Sequence, residues 1–263
     1  MPGVPYPCIM PPSAHPQARS ARSAHLLALF CLFLLAWPVC AQGAGLLTLN
    51  SADPAPLSRP DGSGLNDRIV AEAFHRLGIP VQLVRLTAER ALQNADAGID
   101  DGIYVRIAGM ERMYPNLVMV PEPVSEFLFT AFAKDPAVQV KSWDDLKPYN
   151  VALINGWKIV EANTRGARSV TGVKNEDALF GLLERNRADV VVLDLYSGQE
   201  VIRRLGLSGV RALSPPLERR KMYIYLHKRH AELVPRLAEA LRQMRRDGTT
   251  LRLTRAGLAE VKP

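Results

Sequence analysis

The chain has 263 residues, 48% hydrophobic and 22% charged, with a formal charge of +7 at pH 7. This is an ordinary globular composition, large enough for one big domain or two small ones. The positive balance favours anionic ligands or a membrane surface only weakly, and no Lys/Arg run with interleaved aromatics argues for nucleic acid.

Residues up to His25 are rich in Pro and Ser, carry Arg19 and Arg22 and contain no acid. Leu26 to Val39 is an apolar run, and Val39-Cys40-Ala41 then offers small residues for cleavage. Residues 1–41 read as a secretory signal peptide cut near Ala41-Gln42, which places the mature protein in the periplasm. A membrane-spanning helix needs ~18 or more apolar residues, and this run is shorter and broken by Pro38. Acylation of Cys40 is the lesser reading, because Trp37-Pro38-Val39 matches poorly the small residues expected before a lipidated Cys. Met10 is an alternative start. All three cysteines, Cys8, Cys31 and Cys40, fall in this leader. A mature chain without cysteine has no disulfide, no thiolate nucleophile and no Cys-based metal site.

Leu46 to Leu49 reads as a first strand. A turn-rich loop from Asn50 to Gly64 follows, holding Pro54, Pro56, Pro60, Asp61-Gly62 and Ser63-Gly64, and a loop of this length is usually functional or mobile. Ile69, Val70, Ala73, Phe74 and Leu77 fall at helical spacing, with Gly78 as the stop. Pro80 to Leu86 is a second strand, Thr87 caps a helix through Asn94, and Gly102 to Arg106 is a third strand. Strand, helix, strand, helix, strand predicts a parallel sheet. Glu122 to Ala133 reads as a strand leaving this unit, with Met222 to Leu226 as its counterpart near the other end. Between them lie a helical turn at Trp143–Leu146, a strand Asn150 to Ile154, a helix after Gly156, a helix from Asn175 to Arg185 and a strand ending at Asp194. Ala231 to Arg246 is an amphipathic helix that ends at Asp247-Gly248 and packs back on the first unit.

One module occurs twice. Arg90-Ala91-Leu92 leads through Asp100-Asp101-Gly102 into a strand ending at Arg106; Asp177-Ala178-Leu179 leads through Arg187-Ala188-Asp189 into a strand ending at Asp194. In open α/β sheets ligands sit beyond the carboxyl ends of the strands, so a cation from one module and an anion from the other can face a shared cleft. A zwitterion fits such a pair.

Several fragments, in the right order, carry a family resemblance across nearly the whole mature chain. Gly64 to Gly78 resembles a Gly-Phe-Asp-x-Asp-Leu helix ending in Arg/Lys-Leu-Gly. Asp145-Leu146-Lys147 through Val151 to Gly156 is similar to an Asp-Leu-Lys-Gly-Lys-x-Val-Gly-Val-x-x-Gly segment. Asn175-Glu176-Asp177-Ala178-Leu179 with Arg187 to Asp194, and Arg245-Arg246-Asp247-Gly248-Thr249, complete the set. The chain resembles the family 3 extracellular solute-binding proteins, bilobal periplasmic receptors that deliver polar amino acids to ABC transporters. The resemblance implies an α/β periplasmic-binding-protein type II fold with two α/β lobes joined by two hinge strands. Lobe one would comprise residues 42–126 with 219–263, and lobe two residues 127–218.

It also implies site residues. The family's Arg that grips the ligand carboxylate follows Thr-Pro-Glu; Glu111-Arg112 matches the dipeptide, but Gly109-Met110 replaces Thr-Pro. Arg106 is the rival. A guanidinium suits the task because its planar fork donates two parallel hydrogen bonds to a carboxylate. Asp194 matches the acceptor of the ligand's ammonium, and it can equally cap the helix that starts at Leu195. The family's Gly-Thr-Thr turn reads Gly156-Trp157-Lys158 here, so Lys158 would supply charge where a hydroxyl is usual. Trp157 would either stack on the ligand or pack between helix and sheet. Two further departures bear on the ligand: Asp53-Pro54-Ala55-Pro56-Leu57 ends in Leu where an aromatic is expected, and Arg68 replaces an Asp.

His227 and His230 lack a third ligand or acidic partner at metal-binding spacing and read as surface residues. No Gly-x-Ser-x-Gly, P-loop or His-Glu-x-x-His motif is present. The expected protein is a monomeric, cofactor-free receptor that closes over a small carboxylate-bearing molecule, an amino acid or related compound, and passes it to an inner-membrane ABC permease. A periplasmic sensing module is the alternative. An enzyme resembling cyclohexadienyl dehydratases is a third, with Glu111 or Glu161 as nominal acid or base.

Overall fold

The computed structural model describes residues 45–259 and Gly3. The leader expected over residues 1–41 lies, apart from Gly3, outside the described residues. Ten strands form a continuous sheet in the order β2-β1-β3-β10-β5-β8-β6-β7, with β4 beside β10 and β9 beside β5. The first half is built from β1 (Leu47–Ser51), α1 (Leu65–His75), β2 (Val81–Arg85), α2 (Ala88–Asp96) and β3 (Gly102–Arg106). As the alternation of elements predicts, β1 pairs parallel with both β2 and β3. After a 3-10 turn at Met110–Arg112 and the short β4 (Leu117–Met119), the chain leaves along β5 (Ser125–Ala133).

The second half comprises β6 (Asn150–Ile154), α3 (Lys158–Asn163), β7 (Ser169–Val173), α4 (Glu176–Glu184), β8 (Val190–Asp194), α5 (Leu195–Leu205) and β9 (Arg211–Ala212). Here β6 lies parallel between β7 and β8. The chain returns on β10 (Glu218–His227) and ends in α6 (Val234–Arg246) and α7 (Thr249–Ala259). These two helices cover α1 in the first half.

The two long strands do the joining. β10 pairs with β5 through Glu218–Met222 and with β3 through Tyr223–Leu226. β5 pairs with β10 through its first residues and with β8 through Phe129–Phe132. Two α/β lobes thus share a pair of crossing strands, and the expected lobe boundaries at 126/127 and 218/219 fall within β5 and at the start of β10.

Some elements are not legible from periodicity. β7 has the pattern Ser-Val-Thr-Gly-Val and four exposed residues at a sheet edge. The first residues of β10, Glu218-Arg219-Arg220-Lys221, are polar and half to fully exposed, yet their backbones complete the ladder to β5. α7 buries little beyond Gly257 and is held by packing on α1 rather than by a strong apolar stripe.

The core of the second half is tight around Phe132, whose ring meets that of Phe180 at 5.4 Å and 63°. α5 crosses this ring at Gly198, where a Cβ would sit 2.1 Å from the Phe132 Cζ. Because Phe132 is fully buried in a strand and cannot step aside, Gly198→Ala should cost about 1–3 kcal/mol of stability. Urea unfolding checks this.

Candidate functional site

The site lies where the two halves meet. A narrow cleft of about 330 Å³, counting its open mouth, is lined by Asp53, Arg106, Ile107, Met110, Phe127, Phe129, Gly156, Trp157, Lys158, Ile159 and Met222. Of the expected site residues it brings together Arg106, Gly156, Trp157 and Lys158. Asp194 and Arg112 do not line it.

Arg106 reaches this cleft because β3 is bulged. Tyr223 of β10 faces Arg106 while Tyr225 faces Ile103, so β3 carries one residue more than its partner over this stretch. Such a bulge re-aims the side chains that follow it. Val105, at the bulge, has φ +62°, a left-handed conformation that is a genuine outlier for a β-branched residue. The distortion ends in Arg106, a residue only 6% exposed. Its Nε and Nη2 have no hydrogen-bond partner among the described residues. Those two atoms share one edge of the planar group, the edge that donates a parallel pair of hydrogen bonds to a carboxylate. Burial lowers the Arg106 pKa from its ordinary value, and nearby Asp53 opposes the shift.

Asp53, two residues past the end of β1, was missed as a site residue, although the rule that nominates strand ends covers it as well as Arg106 and Asp194. It lies inside the segment whose Pro and Gly content predicts a turn-rich loop. That loop is in fact mostly buried and held by its own hydrogen bonds, Leu57 N–H to Pro54 C=O (3.0 Å) and Leu65 N–H to Pro56 C=O (3.0 Å). Asp53 is 1% exposed. Its Oδ2 accepts one long bond from Asn66 Nδ2 (3.5 Å), and its Oδ1 has no partner among the described residues.

Asp194, the expected acceptor of a ligand ammonium, does not line the cleft. It is fully buried; Oδ1 accepts from Tyr196 N (3.0 Å) and Ser197 N (3.2 Å), and Oδ2 accepts from Leu128 N (3.1 Å). It is the cap of α5 and a clasp on β5, the second of the two roles open from sequence. Arg112 is exposed on its 3-10 turn.

The Gly156 turn brings the second half against the first. Gly156 has φ +91°, and a Cβ there would lie 2.5 Å from Glu89 N and 2.8 Å from Ala88 C. Lys158 Nζ sits 2.8 Å from Glu89 of α2 and 3.2 Å from Glu161 of its own helix, so its charge joins the halves as well as lining the cleft. Arg85 and Glu176 make a second cross-cleft pair at 2.7 Å. Trp157 is 5% exposed, with its ring 6.0 Å from Phe127 and 5.9 Å from Phe129. It therefore packs among aromatics and faces the cleft at once, with Nε1 unpartnered among the described residues.

Elsewhere, His230 corrects the surface reading: its Nε2 lies 2.6 Å from Asp101, which also accepts from Thr48 N (2.8 Å). This pairing ties the turn after β10 to β1. Of the nominal enzyme residues, Glu161 is bound to Gly156 N (2.6 Å) and Lys158, and Glu111 accepts from the Tyr225 hydroxyl (3.2 Å).

No protein-family model matches the chain. An uncharacterized protein of Shewanella oneidensis (strain MR-1) is 25% identical over 187 residues, 68% of this chain and 70% of that one. Among solved structures, an ancestral arginine-binding protein bound to arginine superposes with TM-score 0.68 at 19% identity, covering 82% of this chain and 99% of that one. A histidine kinase sensor domain with similarity to periplasmic binding proteins gives TM-score 0.73 at 17% identity, covering 82% and 97%. The GluR0 ligand-binding core in complex with L-glutamate gives 0.72 at 14% identity, covering 82% and 99%. The chain has the periplasmic-binding-protein type II fold. In this type II fold the cleft lies between the lobes, where Arg106, Asp53 and Trp157 are found.

The electrostatics of the cleft carry a pH signature. Burial, and then repulsion from Asp194 and Asp67 against the attraction of Arg106, pushes Asp53 up from 3.8 to about 7. Burial likewise pushes Asp194 up to about 6, opposed by its backbone donors. A raised carboxyl pKa means that the folded protein binds the proton more tightly than the unfolded chain. That stabilisation is complete below about pH 4 and is lost as the pH rises through 6 and 7. The melting temperature of the unliganded protein should fall between about pH 5 and pH 8, with a shallower fall in Asp53→Asn. Asp194→Ala removes a helix cap and strands the Leu128 N–H, and should cost about 2 kcal/mol or more in urea unfolding.

Proposed function

We propose that this protein is a periplasmic receptor that captures a small carboxylate-bearing ligand, an amino acid or related compound, between its lobes. The observation that carries the reading is Arg106: a buried guanidinium whose Nε and Nη2 have no protein partner and which lines the interlobe cleft. Leaving such donors unpaired is costly, and a carboxylate satisfies both together. The described structure is closed across the cleft through Lys158–Glu89 and Arg85–Glu176, and opening about β5 and β10 would admit the ligand. The similar proteins bind arginine or glutamate or serve as a sensor domain, which supports binding rather than conversion as the task.

Delivery to an inner-membrane ABC permease follows from this reading, together with export by the leader at residues 1–41. Sensing is the second reading, favoured by the likeness to a histidine kinase sensor domain. Micromolar affinity, about 8 kcal/mol, is the expected scale.

A thermal-shift screen of the purified protein with amino acids, opines and dicarboxylates should find a carboxylate that raises the melting temperature. Arg106→Ala should weaken that ligand about tenfold to a hundredfold, from loss of charge-assisted hydrogen bonds, whereas Arg112→Ala should leave it unchanged. A screen in which no carboxylate stabilises the protein would end the proposal.

A further inference from the structure

Resting on the receptor reading, we infer that Asp53 receives the ligand's cationic group and that the ligand is a compact zwitterion with an apolar body. Three observations converge on this. First, Asp194 has both oxygens engaged by backbone donors from Leu128, Tyr196 and Ser197 and does not line the cleft. Second, Asp53 lines the cleft beside Arg106, and its Oδ1 has no partner among the described residues. A carboxylate out of water with one long hydrogen bond is under-compensated, and an arriving ammonium supplies what it lacks. Third, the remaining charge in the lining is already neutralised, because Lys158 is paired with Glu89 and Glu161.

What is left is apolar: Met110, Phe127, Phe129, Trp157 and Met222. Trp157 Nε1 adds one unpartnered donor, suited to a second bond to the carboxylate. A ligand carrying one anion for Arg106 and one cation for Asp53 matches the charges present. A long charged side chain, as in arginine or glutamate, would bury a further charge with no partner. Both charge-selecting residues lie at strand ends of one lobe, Arg106 on β3 and Asp53 after β1, so selection by charge precedes closure.

The Asp53 carboxyl accepts from Asn66 of α1 and interacts electrostatically with Arg106 and Tyr104 of β3, Asp67 of α1 and Asp194 of β8. With its pKa raised to about 7, binding an ammonium there displaces a proton at neutral pH.

The test is calorimetry on the purified protein with L-alanine, L-proline, propionate, L-arginine and L-glutamate, for wild type, Asp53→Asn and Asp53→Ser. In wild type, L-alanine or L-proline should bind at least tenfold more tightly than propionate, L-arginine or L-glutamate. Binding should release protons below about pH 7, seen as a buffer-dependent heat. Both Asp53 variants should bring the zwitterion within about threefold of propionate while propionate binds as well as before or better, which also shows that the variants are folded. The assignment is overturned if either variant keeps the full preference, if propionate matches L-alanine in wild type, or if L-arginine or L-glutamate binds tightest. If none of these probes and no other carboxylate binds wild type, the receptor reading itself falls, and this assignment with it.

Discussion

Arg106 is held out of water at the seam between two half-sheets with the buried carboxyl of Asp53 nearby, and Asp53 in turn feels two further buried carboxylates, Asp67 and Asp194. A buried charge must find compensation or titrate away. Asp67 finds it in the Tyr104 hydroxyl (2.8 Å) and the backbone of Arg59 (2.8 Å) and Gly64 (2.9 Å). Asp194 finds it in the start of α5 and in β5. Those two carboxylates are therefore structural, fixing the first turns of helices in opposite lobes. Among the described residues lining the cleft, Arg106, Asp53 and the Trp157 indole Nε1 retain unmet hydrogen-bonding capacity, and of these only Arg106 and Asp53 are ionisable. The strained Val105 that delivers Arg106 fits the same picture, since such backbone persists where its surroundings over-determine it.

Closure needs a different balance. On the proposed receptor reading, a cleft that shut irreversibly could not exchange its ligand, so the contacts joining the lobes should be specific in geometry but modest in energy. The ion pairs across the cleft meet this condition. Glu89 is 42% exposed and Arg85 is 28% exposed, so solvent screens both pairs and each contributes on the order of 1 kcal/mol or less. The specificity comes instead from sterics. Gly156 lets the second lobe's turn lie directly on the start of α2, an approach that any side chain would prevent. Two weak pairs and one close backbone contact describe a closed state that a few kcal/mol of ligand binding can select and that an open state can still rival.

The architecture was largely legible in the sequence because it rests on periodicity. The βαβαβ order of the first half, the crossing strands and the amphipathic α6 follow from apolar spacing and from Gly and Pro stops. β7, the polar start of β10 and α7 were not, because backbone pairing or tertiary cover holds them and their side chains carry little pattern. The site divides in the same way. Arg106 is recognisable from a strand end, Gly156, Trp157 and Lys158 from the family resemblance of their turn, and all line the cleft. Asp53 was hidden because its role depends on a loop folding inward beside Arg106, a tertiary fact with no local signature. Asp194 was the reverse case, since a cap and a ligand look alike until its oxygens have been assigned.

That assignment changes how the lobes divide the work. With Asp194 committed to α5 and β5, the second lobe brings to the cleft Trp157, Ile159 and the neutralised Lys158, none of which selects by net charge. On the proposed reading, the first lobe, which holds Arg106 and Asp53, recognises a zwitterion while the cleft is open to water. In that state the two charge contacts are weak, because water competes for every donor and acceptor. Arrival of Trp157 over them expels that water, and the same contacts strengthen in the lower dielectric. A ligand with the wrong charges meets the opposite outcome, because closure then buries an unpaired ion. On that reading the hinge is the discriminating step although the discriminating charges never cross it.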